Sequence, residues 1–473
     1  MRRATAAVAA CSAVAALAFA PGAAAATCTA GRSLDAAIPT WRAVNGFALG
    51  GRPATVEQVE RYVAAVDRAS PRVRAGVAGR SVQGRPIEWV AISDPEAVTT
   101  AALSALGRAT GAMRAGTASA ARARAFARDH RAFAYVGANV HGDEPSGTDA
   151  DMRLLYEMAA DRSCATRRRL DALVTVLLPM QNPDGRAAHT RTNAAGFDLN
   201  RDWFARTQPE TEAKVELLEA QPPLLFVDQH EEAGSSFFAP PNADPVHHEI
   251  AAEPLHAIDE VLGPAVRAAF AERGWSVTSR STYDLFFMGY GDTVPTTLFG
   301  AAGMTFEEGA GVPFADRVAR HYLAADSVLQ AAADHKDALL EAWARQWREA
   351  RAQGARGELE PNRAIGPGDR VSLPVPAGRV YGYAIRTDVH GADAAALVDR
   401  LTSVGVVVDR LRAPATVALR AYGSGGTVAT ALAAGSYWVP LAQGAKHWVE
   451  AMLGADAYVP FPYFYDATAW SNP

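Results

Sequence analysis

Four apolar runs, each ending in a polar cluster, constrain this chain more than any other feature. "FAYVGANV" (133–140) runs into His141, and "LVTVLLPM" (173–180) runs into "QNPDGR". "LLFVD" (224–228) stops just short of His230, and the strand-like "TTLFGAAGMTF" (296–306) runs into Glu307. Helical patterns separate the runs, for example Ser146 to Asp161 and Pro209 to Glu219. Apolar strands alternating with helices describe an α/β unit: a mixed, mostly parallel sheet flanked by helices on both faces. Ligands of such sheets bind beyond the carboxyl ends of the strands. The polar clusters all fall at those ends, so they can converge on one site.

The flanking segments fill out the organisation. Residues 54–94 read as a helix from Val56 to Val66, a stop at "SPR" (70–72), and a strand in "GRPIEWVAIS". Residues 97–132 are Ala/Arg-rich and read as a solvated helical excursion. A long helix from Phe314 to Arg351 closes the first unit, which spans 27–354. The Gly/Pro-rich "GELEPNRAIGPGDR" lies in a linker over 355–372. Residues 373–473 repeat strand and helix signals ("VYGYAI", "ADAAALVDRLTSVG", "VVVDRL", "YWVPLAQ", "GAKHWVEAML") and read as a small accessory α/β domain. Its "YGSGGT" (422–427) reads as an ordinary turn rather than a phosphate loop. The sequence stops just past "VPFPYFYDATAW" without a natural breaker, which reads as a truncation of that domain.

The first 26 residues stand apart. Arg2 and Arg3 precede an Ala/Val-rich run and an A-x-A-like site at Ala23 to Ala26. That is the pattern of a secretory signal peptide over 1–26, so the chain is expected outside the cell. The run is short for a span of ~20 residues, and no later stretch is apolar enough to cross a bilayer, so no membrane anchor is expected. The formal charge of -5, with no strongly basic stripe, excludes a nucleic-acid footprint. Cys11 leaves with the signal. Cys28 and Cys164 remain as a candidate pair in an exported chain, although sequence gives no geometry for it.

His141 and Glu144 share one side of a turn at spacing i, i+3. A neutral imidazole and a carboxylate suit zinc, and His230 supplies a third donor. Three protein ligands with an open fourth position mark a catalytic zinc, whose bound water titrates near ~7. Such chemistry needs a carboxylate to accept the water's proton, for which Glu307 and Glu308 are candidates. Their strand alternates, so only one of them faces a given pocket.

The stretches "SPRVRAGVAGRSVQGRPI", "GANVHGDEPSG", "NPDGR", "RTNAAGFDLNRDW", "DQH" and "MTFE" occur in that order across about 55–310. Together they resemble the zinc carboxypeptidases of the carboxypeptidase A/B family (the funnelins), in a bacterial-type secreted form with a C-terminal addition. The two-His, one-Glu site is the standard zinc set of carboxypeptidase A itself. The resemblance implies His141, Glu144 and His230 as ligands of one zinc ion per chain. It implies Glu307 as general base, Arg191 as the group that stabilises the oxyanion, and Asn200 with Arg201 as the grip on a substrate's terminal carboxylate. Asp198 then orients the first zinc histidine. Tyr283, with Tyr290 as rival, matches the tyrosine that closes over substrate. The implied substrates are peptide or protein C-termini.

The chain departs from digestive relatives in its "HGDE", in the C-terminal addition, and in having no evident pro-segment, so no activation cleavage is expected. Two rivals remain: a zinc amidohydrolase or deacylase on the same fold, and an inactive binding module. "HEE" at 230–232 is not H-E-x-x-H, and no G-x-S-x-G elbow occurs. Side-chain preference and oligomeric state are not legible.

Overall fold

The computed structural model describes residues 28–240, 246–279, 286, 291–361, 376, 378–422 and 426–456. The expected signal peptide, Tyr283 and Tyr290 lie outside them, as does most of the linker. A seven-stranded sheet organises the first unit. Its strands are β1 (Val73–Arg80), β2 (Pro86–Ile92), β3 (Ala132–Ala138), β4 (Leu173–Leu178), β5 (Pro223–Glu232), β6 (Phe237–Phe238) and β7 (Ala302–Gly309). The spatial order is β1-β2-β4-β3-β5-β7-β6. The central four pair in parallel, and β1, β2 and β6 add antiparallel edges.

Every position of β3, β4 and β7 is buried, as expected of strands covered on both faces. Along β3, Ala132, Ala134 and Val136 enter one hydrophobic cluster, with the helices Ser146–Ala160 and Phe314–Asp334. Phe133 and Tyr135 enter the other, with Trp203, Phe226 and the helix Pro209–Ala220. The period-2 alternation of a strand thus divides one apolar run between two cores.

Several local readings need correction. "VRAGVAGR" forms β1, hairpinned to β2, although its Gly, Ala and Arg content carries little strand signal. Thr293–Phe299 is helical, and the strand begins only at Ala302. Thr297 Oγ1 bonds to the Thr293 carbonyl (2.6 Å) and Thr296 Oγ1 to that of Asp292, so the β-branched side chains satisfy themselves within a helical turn. Gly300 then ends the helix at φ 62°. The single long helix is two, Phe314–Asp334 and Lys336–Arg356, interrupted at His335. β5 continues to Glu232, which puts His230 inside the strand rather than after it.

Cys28 and Cys164 form a disulfide. No described helix is long and apolar enough to cross a membrane.

Beyond the helix Lys336–Arg356 lie two small sheets: β8 (Gly382–Ile385), β9 (Asp409–Arg410) and β12 (Tyr437–Pro440) in one, β10 (Ala415–Arg420) and β11 (Thr427–Leu432) in the other. Helices Gly391–Thr402 and Lys446–Leu453 accompany them. The β10–β11 hairpin was not anticipated. Leu401, Val404, Val439, Leu441, Trp448 and Val449 share the second cluster with Tyr135 and Phe226 of the large sheet. This segment therefore packs on the sheet face that also carries the site.

Candidate metal centre

Two chain segments deliver the donor set, the turn after β3 and strand β5. β3 ends at Ala138, and the next residue, Asn139, adopts φ 59°. Its side-chain amide donates to the carbonyls of His141 (2.9 Å) and Glu144 (3.0 Å), closing the "HGDE" turn on itself. Gly142 is required there: a Cβ at that position would stand 2.0 Å from the carbonyl carbon of Gly185. Asn182 of "NPDGR" stitches the two turns together, donating to the Val140 and Arg191 carbonyls (3.3 Å each) and accepting from Gly185 N (2.9 Å). Arg186, at the end of that motif, is buried and donates to the Ala54 carbonyl, which is a structural task.

His141, Glu144 and His230 converge, each buried. His141 Nδ1 lies 2.7 Å from Glu144 Oε1. His230 Nδ1 lies 3.1 Å from Glu144 Oε2 and 3.2 Å from His141 Nδ1. A tetrahedral zinc with bonds of about 2.0–2.2 Å needs ligand atoms roughly 3.3–3.6 Å apart. The observed contacts are tighter, by about 0.1–0.5 Å at His230 and about 0.6–0.9 Å between His141 and Glu144, so the residues fit that ion once the His141–Glu144 edge opens. The outward nitrogens support the same reading. His141 Nε2 stands 3.3 Å from Asp198 Oδ1, and His230 Nε2 stands 3.3 Å from Asp228 Oδ2. A carboxylate behind each imidazole fixes the tautomer that leaves Nδ1 facing inward.

The electrostatics follow from that packing. Burial disfavours a charged His141 and a charged His230, yet the carboxylates of Glu144, Asp198 and Asp228 outweigh it and raise both pKa values. Burial likewise opposes ionisation of Glu144, and the two histidines more than offset it, so its carboxyl titrates below the usual range. Concentrated, buried charge of this kind is typical of a functional site.

Arg191 reaches the same cluster. Its Nε and Nη2 bind Asp198 Oδ2 at 3.0 and 2.8 Å, and its Nη1 stands 3.2 Å from His141 Nδ1. Asn200 and Arg201 sit on a short 3-10 turn (Leu199–Arg201), which Asp198 caps by accepting from Asn200 N (2.9 Å). The Trp203 indole donates to Asn200 Oδ1 (3.0 Å). Because indole N–H can only donate, the Asn200 carboxamide must turn its NH2 the other way.

Parallel pairing of β5 with β7 sets Glu307 beside His230 and Glu308 beside Glu231. Paired residues share a face, so Glu307 is on the histidine side and Glu308 on the reverse. There Glu308 meets Arg320 (3.2 Å), while Glu231 accepts from Ser146 N (2.7 Å) and from Arg317.

Asp228, Trp203 and Asn139 were not foreseen. For Asp228 the signal existed: in "DQH" it precedes His230 by two, the strand period. For Trp203 and Asn139 no spacing rule announces the contact.

The family model "Peptidase_M14: Zinc carboxypeptidase" matches residues 59–221. "Carboxypeptidase 2" of Trichophyton tonsurans is 32% identical over 111 residues, 24% of this chain and 20% of that protein. "Carboxypeptidase SOL1" of Arabidopsis thaliana is 36% identical over 94 residues, 17% of this chain and 19% of that protein. These matches span about a fifth of the length of the curated relatives. A solved metallo-carboxypeptidase from Burkholderia cenocepacia aligns with a TM-score of 0.45 at 20% identity, over 60% of this chain and 70% of that one. The chain is thus similar to zinc carboxypeptidases over residues 59–221, the stretch that the Peptidase_M14 family model matches.

Proposed function

We propose that this chain is an exported zinc metallocarboxypeptidase that releases residues one at a time from peptide C-termini. The observation that carries the proposal is the convergence of His141, Glu144 and His230, with Glu307 on the same sheet face. Those three residues would hold the ion. When bound, zinc supplies a Lewis acid and lowers the pKa of a water molecule to about 7.

The chain's own groups do the rest. Glu307 accepts the proton of the attacking water at its carboxylate and passes it to the leaving amine. Arg191 donates N–H groups to the oxygen of the scissile carbonyl as it gains charge. Arg201 grips the terminal carboxylate through its planar fork of donors, and the NH2 of Asn200 adds a further one. That grip confines cleavage to the chain end. Asp198 and Asp228 hold the two imidazoles, and Asp198 also anchors Arg191, so metal site and oxyanion donor share one support. The expectation of export rests on the pattern of residues 1–26 and agrees with the Cys28–Cys164 disulfide, a bond favoured in oxidising compartments.

The test is a mixed peptide pool, each peptide supplied with a free and with an amidated C-terminus. Release of single residues from free ends only, abolished by chelation and restored by zinc, is expected. One zinc per chain without any release would overturn the peptidase reading and favour a deacylase.

A further inference from the structure

We propose that the C-terminal segment is a positioning device for the carboxylate-holding turn, acting through Arg206 and Arg400. The proposal rests on the reading of Asn200 and Arg201 as the groups that hold a substrate's terminal carboxylate.

That turn continues directly into a tight loop, residues 202–208. Asp202 closes it, accepting at its two oxygens from Thr207 N (2.9 Å), Thr207 Oγ1 (2.7 Å) and Gln208 N (2.9 Å). Arg206 N donates to the Asp202 carbonyl (2.7 Å), and Arg206 itself adopts φ 47°. A left-handed arginine is strained and persists only where its surroundings demand it. Here Asp202 closes the loop locally, Glu212 pairs with Arg206 Nη1 (3.5 Å), and the remaining contacts come from the other end of the chain. Arg206 Nη2 donates to the Arg400 carbonyl (2.6 Å) and to Ser403 Oγ (2.7 Å). In return Arg400 Nε donates to the Ala205 carbonyl (2.7 Å). Phe204 meets Trp448 edge-on, with ring centroids 5.9 Å apart. Four successive residues, Trp203 to Arg206, thus link the Asn200 carboxamide to helices Gly391–Thr402 and Lys446–Leu453.

The brace is separable from the docking of the segment. Lys446 and His447 are fastened elsewhere, on the fully buried Glu249 (2.8 and 2.9 Å), and Trp448 and Val449 lie in the shared core. Removing the Arg206 clasp should therefore leave the segment attached while freeing the turn.

The experiment uses the full chain, zinc-loaded, with Arg206→Ala, Arg206→Lys and Arg400→Ala. Two quantities are read: steady-state hydrolysis of a peptide with a free C-terminus, and amide hydrogen exchange along the chain. A misplaced carboxylate grip weakens ground and transition states alike, so KM should rise about tenfold in Arg206→Ala with kcat within about twofold. Exchange should accelerate at residues 199–207 and nowhere else, with zinc content unchanged. Arg206→Lys keeps a donor and should recover most of the KM. Arg400→Ala, which loses only the bond to Ala205, should show a smaller effect in the same direction and carries the test if Arg206→Ala does not fold.

Unchanged KM and unchanged local exchange would overturn the proposal, as would a fall in kcat alone. If the parent protein cleaves no peptide, the carboxypeptidase reading fails, and exchange alone then decides whether the brace exists.

Discussion

Replacing Asp228 by Asn tests how far the metal centre depends on groups that never touch the ion. Asp228 is buried in β5, two residues before His230. It accepts from Gln181 Nε2 (2.7 Å) and faces His230 Nε2 at 3.3 Å. Burial penalises its charge, but His230 and Lys214 offset that and hold its pKa below the usual carboxylate value. The substitution keeps the shape and removes the charge. His230 then loses the partner that raises its basicity and fixes its tautomer. Loss of such a partner lowers metal affinity about 10–100-fold, equivalent to roughly 1.4–2.7 kcal/mol. A second effect opposes the first, since a nearby lysine that gives up its proton repels a bound cation less. Lys214, over the Trp203 ring at 3.6 Å, is already pushed down to about 8 by burial, and without Asp228 its ammonium loses the largest favourable charge beside it. Zinc affinity would be measured by competition with a chromophoric chelator, alongside thermal unfolding of the metal-free chain. Affinity within about twofold of the parent would refute the claim that Asp228 tunes the site.

Other perturbations have defined outcomes. Arg201→Ala removes a charge-assisted grip worth about 1.5–3 kcal/mol, so KM for free-ended peptides should rise roughly 10–100-fold, read from initial rates. Cys164→Ser opens the disulfide to Cys28, which closes a loop across 136 residues, and should lower stability by about 2–4 kcal/mol in a denaturant titration while leaving zinc binding intact. Burial, reinforced by Glu60, pushes the Glu88 carboxyl from 4.5 up to about 7. The folded chain then holds a proton that the unfolded chain has lost between those values, so Glu88 erodes stability as pH rises through that window. Glu88→Gln should remove that slope and stabilise the chain at neutral pH by on the order of 2–3 kcal/mol, measured as unfolding midpoints from pH 4.5 to 7.5.

The sheet was legible because each central strand carries an apolar run that gives way to a polar cluster, beyond the strand in β3 and β4 and within it in β5 and β7. His141 and Glu144 were legible because a turn fixes their spacing. Glu307 against Glu308 was not decided by sequence, since alternation says only that they differ. The parallel register with β5 decides it by pairing Glu307 with His230. The helix Thr293–Phe299 was hidden because threonine and phenylalanine favour strands, a preference overridden by threonine hydroxyls bonding back to the preceding turn. The contact of Arg206 with Arg400 joins residues 194 apart in sequence, and no local pattern predicts such a pairing.

The most direct test of the central claim is kcat for single-residue release by Glu307→Gln, measured with zinc occupancy determined on the same sample and Glu308→Gln run beside it. Loss of a general base should lower kcat by about 10²–10⁴-fold at undiminished zinc occupancy, while Glu308→Gln stays within a few-fold of the parent. Undiminished release by Glu307→Gln, or an equal loss in both variants, would contradict the account.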